Sequence, residues 1–217
     1  MSEAARLGPF THEIGAHGEI RFLRMIPGLW LVQGIRKELE QKGQPFSYAE
    51  LQTLAAEAPA HQTVLDEEDT IFQTPDQRIE AIHEFARRTG QPRPQGPGPL
   101  VRCCLETLAL SYRRALHQLE SVLGQSFDIL HVVGGGGRNQ LLNQMCADAI
   151  DRPVLIGPHE ATALGNLLLQ VQALGRASHP AARSSSIRRS CKPRRYEPAT
   201  PAHWDEPYTR YLGLKGV

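Results

Sequence analysis

Four consecutive glycines, Gly134–Gly137, stand between a short apolar run, DILHVV (128–133), and a segment with Leu141, Leu142 and Met145 at helical spacing. A turn without side chains at such a junction lets a ligand approach backbone N–H groups at the positive end of a helix dipole. That chemistry suits a nucleotide. No Walker loop (GxxxxGKS/T) is present, and Asn139 occupies the place where a third Rossmann glycine falls in GxGxxG. The same glycines also fit a tight strand-to-helix connection that binds nothing. Composition alone does not separate the two readings.

Other reactive side chains are scattered. Cys103, Cys104, Cys146 and Cys191 show no CxxC spacing, and adjacent Cys103 and Cys104 in a helical pattern point in different directions. Buried, reduced thiols are expected, not metal ligands or disulfides. His12 reads as a loop histidine, and Asp66, Asp69 and Asp128 as surface or capping carboxylates. Arg188, Arg189, Lys192, Arg194 and Arg195 form a basic run, yet the formal net charge is +1. A solvated basic segment fits that balance better than a nucleic-acid interface. With 41% hydrophobic and 22% charged residues, the chain has the composition of a globular protein. No apolar run approaches the ~20 residues that span a bilayer, and MSEAARLGPF lacks a signal pattern, so a cytoplasmic protein without membrane or nucleic-acid partners is expected.

The elements that would position the glycine turn follow from periodicity. Glu19–Leu23 alternates polar and apolar residues and predicts a short strand, and Gly28–Leu39 predicts a helix. Ser47 and Glu50 have capping-box spacing ahead of Leu51, Leu54, Ala55 and Ala58, and Pro59 ends that helix. Thr74 as cap, Pro75 in the first turn and Gly90 past the Arg-rich end predict a helix over 74–89. GQPRPQGPGP (90–99) is expected to be a linker that holds no helix. Val101, Leu105, Leu108, Tyr112, Ala115 and Leu119 mark one face of a long helix, expected to pack across a sheet. DILHVV reads as a buried strand and Pro153–Ile156 as another. The helix that follows carries Ala163, Leu164, Leu167, Leu168, Val171 and Leu174. Thr200 and Pro201 open a small helix with Trp204, Tyr208 and Tyr211 on one face, expected to dock back on the body. Alternating strands and helices argue for an α/β layered core.

The wider text extends the glycine motif. VVGGGGRNQLLNQMCADAIDRPVLIGPHEATALGN (132–166) resembles the adenosine-binding segment of the FGGY carbohydrate kinases. RFLRMIPGLWLVQ, DEEDTIFQTPDQRIEAIHEFARRTGQPRP, VRCCLETLALSYRRALHQLE and IRRSCKPRRYEPATPAHWDEPYTRYL resemble, in order, successive stretches of the rhamnulokinase branch of that family. The resemblance implies the second of two lobes, of ribonuclease H-like (actin-like ATPase) α/β fold, a mixed sheet flanked by helices. Sugar and ATP meet between the lobes. It implies residues 1–176 as the nucleotide-binding lobe and 177–217 as a basic segment and short helix packing back on it. The implied cofactors are ATP and Mg2+, the metal held mainly through the phosphates and the other lobe, and the implied acceptor is the 1-hydroxyl of L-rhamnulose. Gly134, Gly135 and Gly136, Gly135 foremost, and Asn139 are implied at the nucleotide. Gln33, by residue type a solvent-facing helix position, matches a family residue associated with ATP.

Two departures bear on chemistry. Met25 stands where rhamnulokinases commonly carry an Asn that helps hold the sugar, and a thioether donates nothing and accepts weakly, so no substrate residue is assigned. FTHEIG (10–15) departs from the family's FTNEGG at His12 and Ile14. Phosphoryl transfer needs an acceptor hydroxyl, neutralised phosphates and a base. The family places its catalytic Asp and N-terminal phosphate loops ahead of the part that matches Ser2, and Asp66, Asp69 and Asp128 do not match that Asp. No catalytic residue is assigned, and the chain alone is expected to turn over nothing. The alternatives are a non-catalytic nucleotide-binding or interaction module, or a lobe of another FGGY sugar kinase.

Overall fold

The computed structural model describes residues 10–16, 18–73, 77–175 and 193–216, and the chain divides into two compact units, 1–127 with 202–217 and 128–201.

In the first unit, β1 (Thr11–Ile14) and β2 (Ile20–Leu23) pair antiparallel with Ile14 opposite Ile20. His12 therefore stands in a strand and not a loop, its ring 5.0 Å from that of Phe22. Helix α1 (Trp30–Gln41) buries Leu31, Val32, Ile35 and Leu39, one stripe at helical spacing. Helix α2 (Tyr48–Glu57) begins as expected: the Ser47 N–H donates to Glu50 Oε2 at 2.7 Å, and the Glu50 N–H donates to Ser47 Oγ at 3.2 Å.

Helix α3 (Arg78–Arg88) starts later than periodicity suggests, with Gln77 outside it and giving no side-chain cap. Thr74 and Pro75 lie outside the described residues. The cap comes from α1, where the buried Glu38 carboxylate accepts the N–H groups of Arg78 and, at 3.3 Å, Ile79. A carboxylate there satisfies two orphan donors and faces the positive end of the helix dipole.

Helix α4 (Pro97–Leu123) takes up the end of the expected linker, since Pro97, Gly98 and Pro99 form its first turn. First-turn N–H groups have no helical partner, so proline costs nothing there. Gly98 is required by packing, because a Cβ would stand 2.6 Å from the Leu54 carbonyl oxygen of α2. The helix does not bury one face only: residues 100–111 are buried all round except Arg102. Its main neighbours are helices α1, α2 and α7 (Asp205–Leu214), where a sheet was expected.

Polar groups on α4 pin the adjacent chain. Thr107 Oγ1 accepts the Leu65 N–H at 2.9 Å, and Glu106 accepts the His61 N–H at 3.0 Å and Arg102 Nε at 2.7 Å. Ser111 Oγ and Tyr211 Oη donate to the buried Glu67 carboxylate at 2.8 and 2.9 Å. With Trp204 and Tyr211 buried, α7 docks on this unit as its aromatic stripe suggests.

The second unit contains a mixed three-stranded sheet. β3 (Leu130–Val132) runs parallel to β4 (Val154–Ile156), and β4 runs antiparallel to β5 (Arg194–Tyr196). β5 was not anticipated; it draws Arg194 and Arg195 out of the basic run into the sheet, and Arg195 pairs with Glu197. Arg188, Arg189, Lys192 and Cys191 lie outside the described residues. Helix α5 (Gln140–Ile150) covers β4 and β5, and its buried Asp148 accepts the Ala199 N–H at 2.6 Å. β3 is only half-buried, contrary to expectation, and Val133 is exposed. Helix α6 (Ala161–Ala173) buries none of its residues.

Candidate functional site

The glycine turn is shaped by contacts from two sides. Past β3, Gly134 has φ 80° and ψ −166°, a conformation that glycine alone adopts readily. Its N–H donates to the Pro158 carbonyl at 3.0 Å, and the Gly157 N–H donates to the Val132 carbonyl at 2.8 Å, so the 157–159 loop after β4 is laced to the turn. Gly135–Arg138 then form one 3-10 turn. On the other side, Asn139 Oδ1 caps α5 by accepting the Leu142 N–H at 3.0 Å. One turn into α5, the buried Asn143 donates from Nδ2 to the Gly137 carbonyl at 2.9 Å.

The four glycines differ in what they do. Gly134 is needed for its positive φ, and Gly137 for packing, because a Cβ there would stand 2.8 Å from Ile156 Cγ2. Neither reason applies to Gly135 and Gly136, where an added Cβ meets no heavy atom of the described residues within 4 Å. Among the described residues, no acceptor takes the N–H of Gly135 or Gly136. Unpaired amides in a turn with open space beside its alpha carbons are what an anionic or acceptor-rich ligand needs. A bare connection requires only the other two glycines.

Gly134, Gly135, Gly136 and Asn139 thus lie in one turn of the second unit, the Asn139 side chain spent on the cap. Gln33 is exposed on α1 and Met25 is 87% exposed between β2 and α1, both in the first unit. Residue-by-residue reading missed Asn143, His159 and Gly157. Asn143 had a signal, since it falls four residues after Asn139 on the same helical face. Gly157 is fixed by a close approach that only coordinates reveal, a Cβ there falling 2.9 Å from Val133 Cγ1.

Elsewhere the chemistry is quiet. Cys103, Cys104 and Cys146 are buried free thiols, as expected. A hydrogen bond with Cys104 and burial push the Cys103 thiol well above its usual range, and burial does the same to Cys146, which disfavours the thiolate at both. A cleft of about 200 Å³ in the first unit is lined by Pro59, Pro92, Pro94 and Pro99, but the Glu106 carboxylate that also lines it is taken by Arg102 and the His61 N–H. Among the described residues, no three His, Cys, Asp or Glu side chains gather to hold a metal, and no helix is long and apolar enough to cross a membrane.

Comparison with known proteins places this arrangement. The fold is that of solved sugar kinases: a ligand-bound xylulose kinase from Lactobacillus acidophilus superposes with a TM-score of 0.67 at 15% identity, over 96% of this chain and 42% of that one. A xylulose kinase from Rhodospirillum rubrum gives 0.56 at 18% identity, over 88% and 38%. The fold is α/β of the actin-like type, a mixed sheet flanked by helices. Residues 1–174 match the C-terminal domain of the FGGY family of carbohydrate kinases, and the chain belongs to that family. It is 40% identical to the rhamnulokinase of Bacteroides thetaiotaomicron over 202 residues, 93% of this chain and 41% of that protein. To the rhamnulokinase of Enterococcus faecalis it is 43% identical over 178 residues, 81% and 35%. The chain therefore spans well under half the length of the curated relatives it matches.

Proposed function

We propose that this chain is the nucleotide-binding half of a carbohydrate kinase that moves the γ-phosphoryl group of ATP to the 1-hydroxyl of L-rhamnulose. The observation that carries the reading is the pair of glycines at Gly135 and Gly136 between β3 and α5, whose amides find no acceptor among the described residues and whose alpha carbons face open space. Residues 1–176 are the nucleotide lobe in this reading, with Gln33 serving it and Asn139 serving it by capping the helix that follows the turn. ATP brings the phosphoryl group, and Mg2+ carried on its phosphates neutralises charge that backbone amides alone cannot. The chain's own part is to seat and orient the nucleotide. Proton removal from the sugar falls to a lobe matching the remainder of the relatives' length, so this chain alone binds nucleotide and turns over nothing.

Mixing the chain with such a lobe and measuring ATP-dependent phosphorylation of L-rhamnulose tests the proposal. Turnover that requires both components is the expected result; none at high concentrations of both counts against it. One observation favours a second reading. Met25, so exposed and unable to replace the amide of Asn, fits a non-catalytic nucleotide-binding module or a kinase for another sugar. ADP binding without turnover on any ketose would select the module, and turnover on fuculose, xylulose or glycerol the other kinase.

A further inference from the structure

We propose that His159 is a specificity-determining residue for the nucleotide at the glycine turn, its Nε2 accepting a hydrogen bond from a donor group of the nucleoside. The proposal rests on the nucleotide reading of the turn. His159 follows β4 in the loop whose backbone is bonded to the turn through Gly157 and Pro158. Its ring lies at the turn, with Nδ1 3.4 Å from the Gly134 carbonyl oxygen. Nδ1 and Cε1 are 3.7 and 3.8 Å from the place a Cβ on Gly137 would occupy. The side chain is exposed, so the core does not account for an aromatic ring at this position.

The chemistry follows from the contact with Gly134. A carbonyl oxygen only accepts, so the nitrogen facing it carries the hydrogen and donates; the tautomer is assigned from this contact. In the neutral ring the second nitrogen, Nε2, then holds a lone pair and accepts. An acceptor beside the turn repels phosphate oxygens, which also accept, and matches a hydroxyl or an amino group. A nucleoside offers both, on the ribose and as the exocyclic amine of adenine. Labour is divided accordingly: the Gly135 and Gly136 amides take the acceptor-rich part of the ligand, and His159 takes the donor on its nucleoside.

The test follows the Gly135 amide resonance of the full chain during titration with ADP, 2′-deoxyADP, 3′-deoxyADP and IDP, in the wild type, H159Q and H159F. The wild type is expected to bind ADP roughly ten-fold more tightly than the analogue that lacks the recognised donor, about 1.4 kcal/mol. A loss with a deoxy compound identifies the ribose hydroxyl, and a loss with IDP the amine. H159Q keeps an acceptor and retains part of the preference, whereas H159F keeps a ring without an acceptor and loses it. A wild type that treats all four alike, or an H159F with unchanged affinities and order, overturns this proposal and leaves the nucleotide reading standing. A Gly135 amide that ADP leaves unmoved in the wild type overturns both.

Discussion

Replacing Gly135 with alanine separates ligand access from folding. An ideal Cβ at Gly135 finds no heavy atom within 4 Å, and the residue is not in the left-handed region, so the folded state accommodates the methyl group. The unfolded chain loses glycine's extra freedom, which stabilises the fold by about 0.4–1 kcal/mol. Gly137→Ala is the contrast: its Cβ would lie 2.8 Å from Ile156 Cγ2. Overpacking of that kind costs about 1–3 kcal/mol. Urea unfolding followed by circular dichroism measures stability, and an NMR titration with ADP measures binding. G135A is expected to unfold at the same or higher urea than the wild type while binding ADP roughly ten-fold more weakly or worse, since the methyl group takes up space that the bound ligand would use. G137A is expected to unfold earlier. The reasoning is refuted if G135A binds ADP as tightly as the wild type, because the open space would then have no ligand to admit.

Four further outcomes follow from contacts away from the amides themselves. N143L leaves the Gly137 carbonyl without its buried donor and should cost about 1–3 kcal/mol in urea unfolding, with weaker ADP binding as the turn loosens. E38A uncaps α3 and should cost about 0.5–2 kcal/mol, with faster amide exchange at Arg78 and Ile79 as the local signature. Burial raises the Glu106 carboxyl above its usual range, so the native unit holds that proton more tightly than the unfolded chain, and this group's contribution to stability grows as pH falls through its native pKa. Burial, then Arg102 and Arg210, lower the His61 imidazole. The unfolded chain therefore takes that proton first, and the His61 contribution is lost as pH falls below about 6.5. Urea midpoints across acid to neutral pH should show E106Q removing the first slope and H61Q the second.

What the sequence discloses depends on how far apart the partners are. The Ser47 and Glu50 capping box is complete within four residues, and it forms as read. The start of α3 is set by Glu38, a partner 40 residues upstream of Arg78, so no local window contains the reason. Proline misleads at Pro97 and Pro99 because the same missing N–H that excludes it from a helix interior is harmless in a first turn. The full burial of α4 is likewise hidden, since Thr107 and Ser111 look like an outer face until Leu65 and Glu67 are seen bonded to them. β5 spans three residues, two of them exposed arginines, and only its pairing with β4 makes it a strand.

The glycine turn shows the same division within a single run of identical residues. Strand, turn and helix could be read in order, because each is a local pattern. The roles inside the turn could not, since they are assigned by Pro158 and Ile156 from the other side of α5 and by Asn143 from within it. Two glycines answer to those neighbours and two answer to nothing among the described residues. A residue that the fold does not require, at a position where the fold leaves space, is explained by a ligand or is free to vary. Substituting Gly135 and Gly136 while sparing Gly134 and Gly137 therefore discriminates between binding and architecture more sharply than removing the turn.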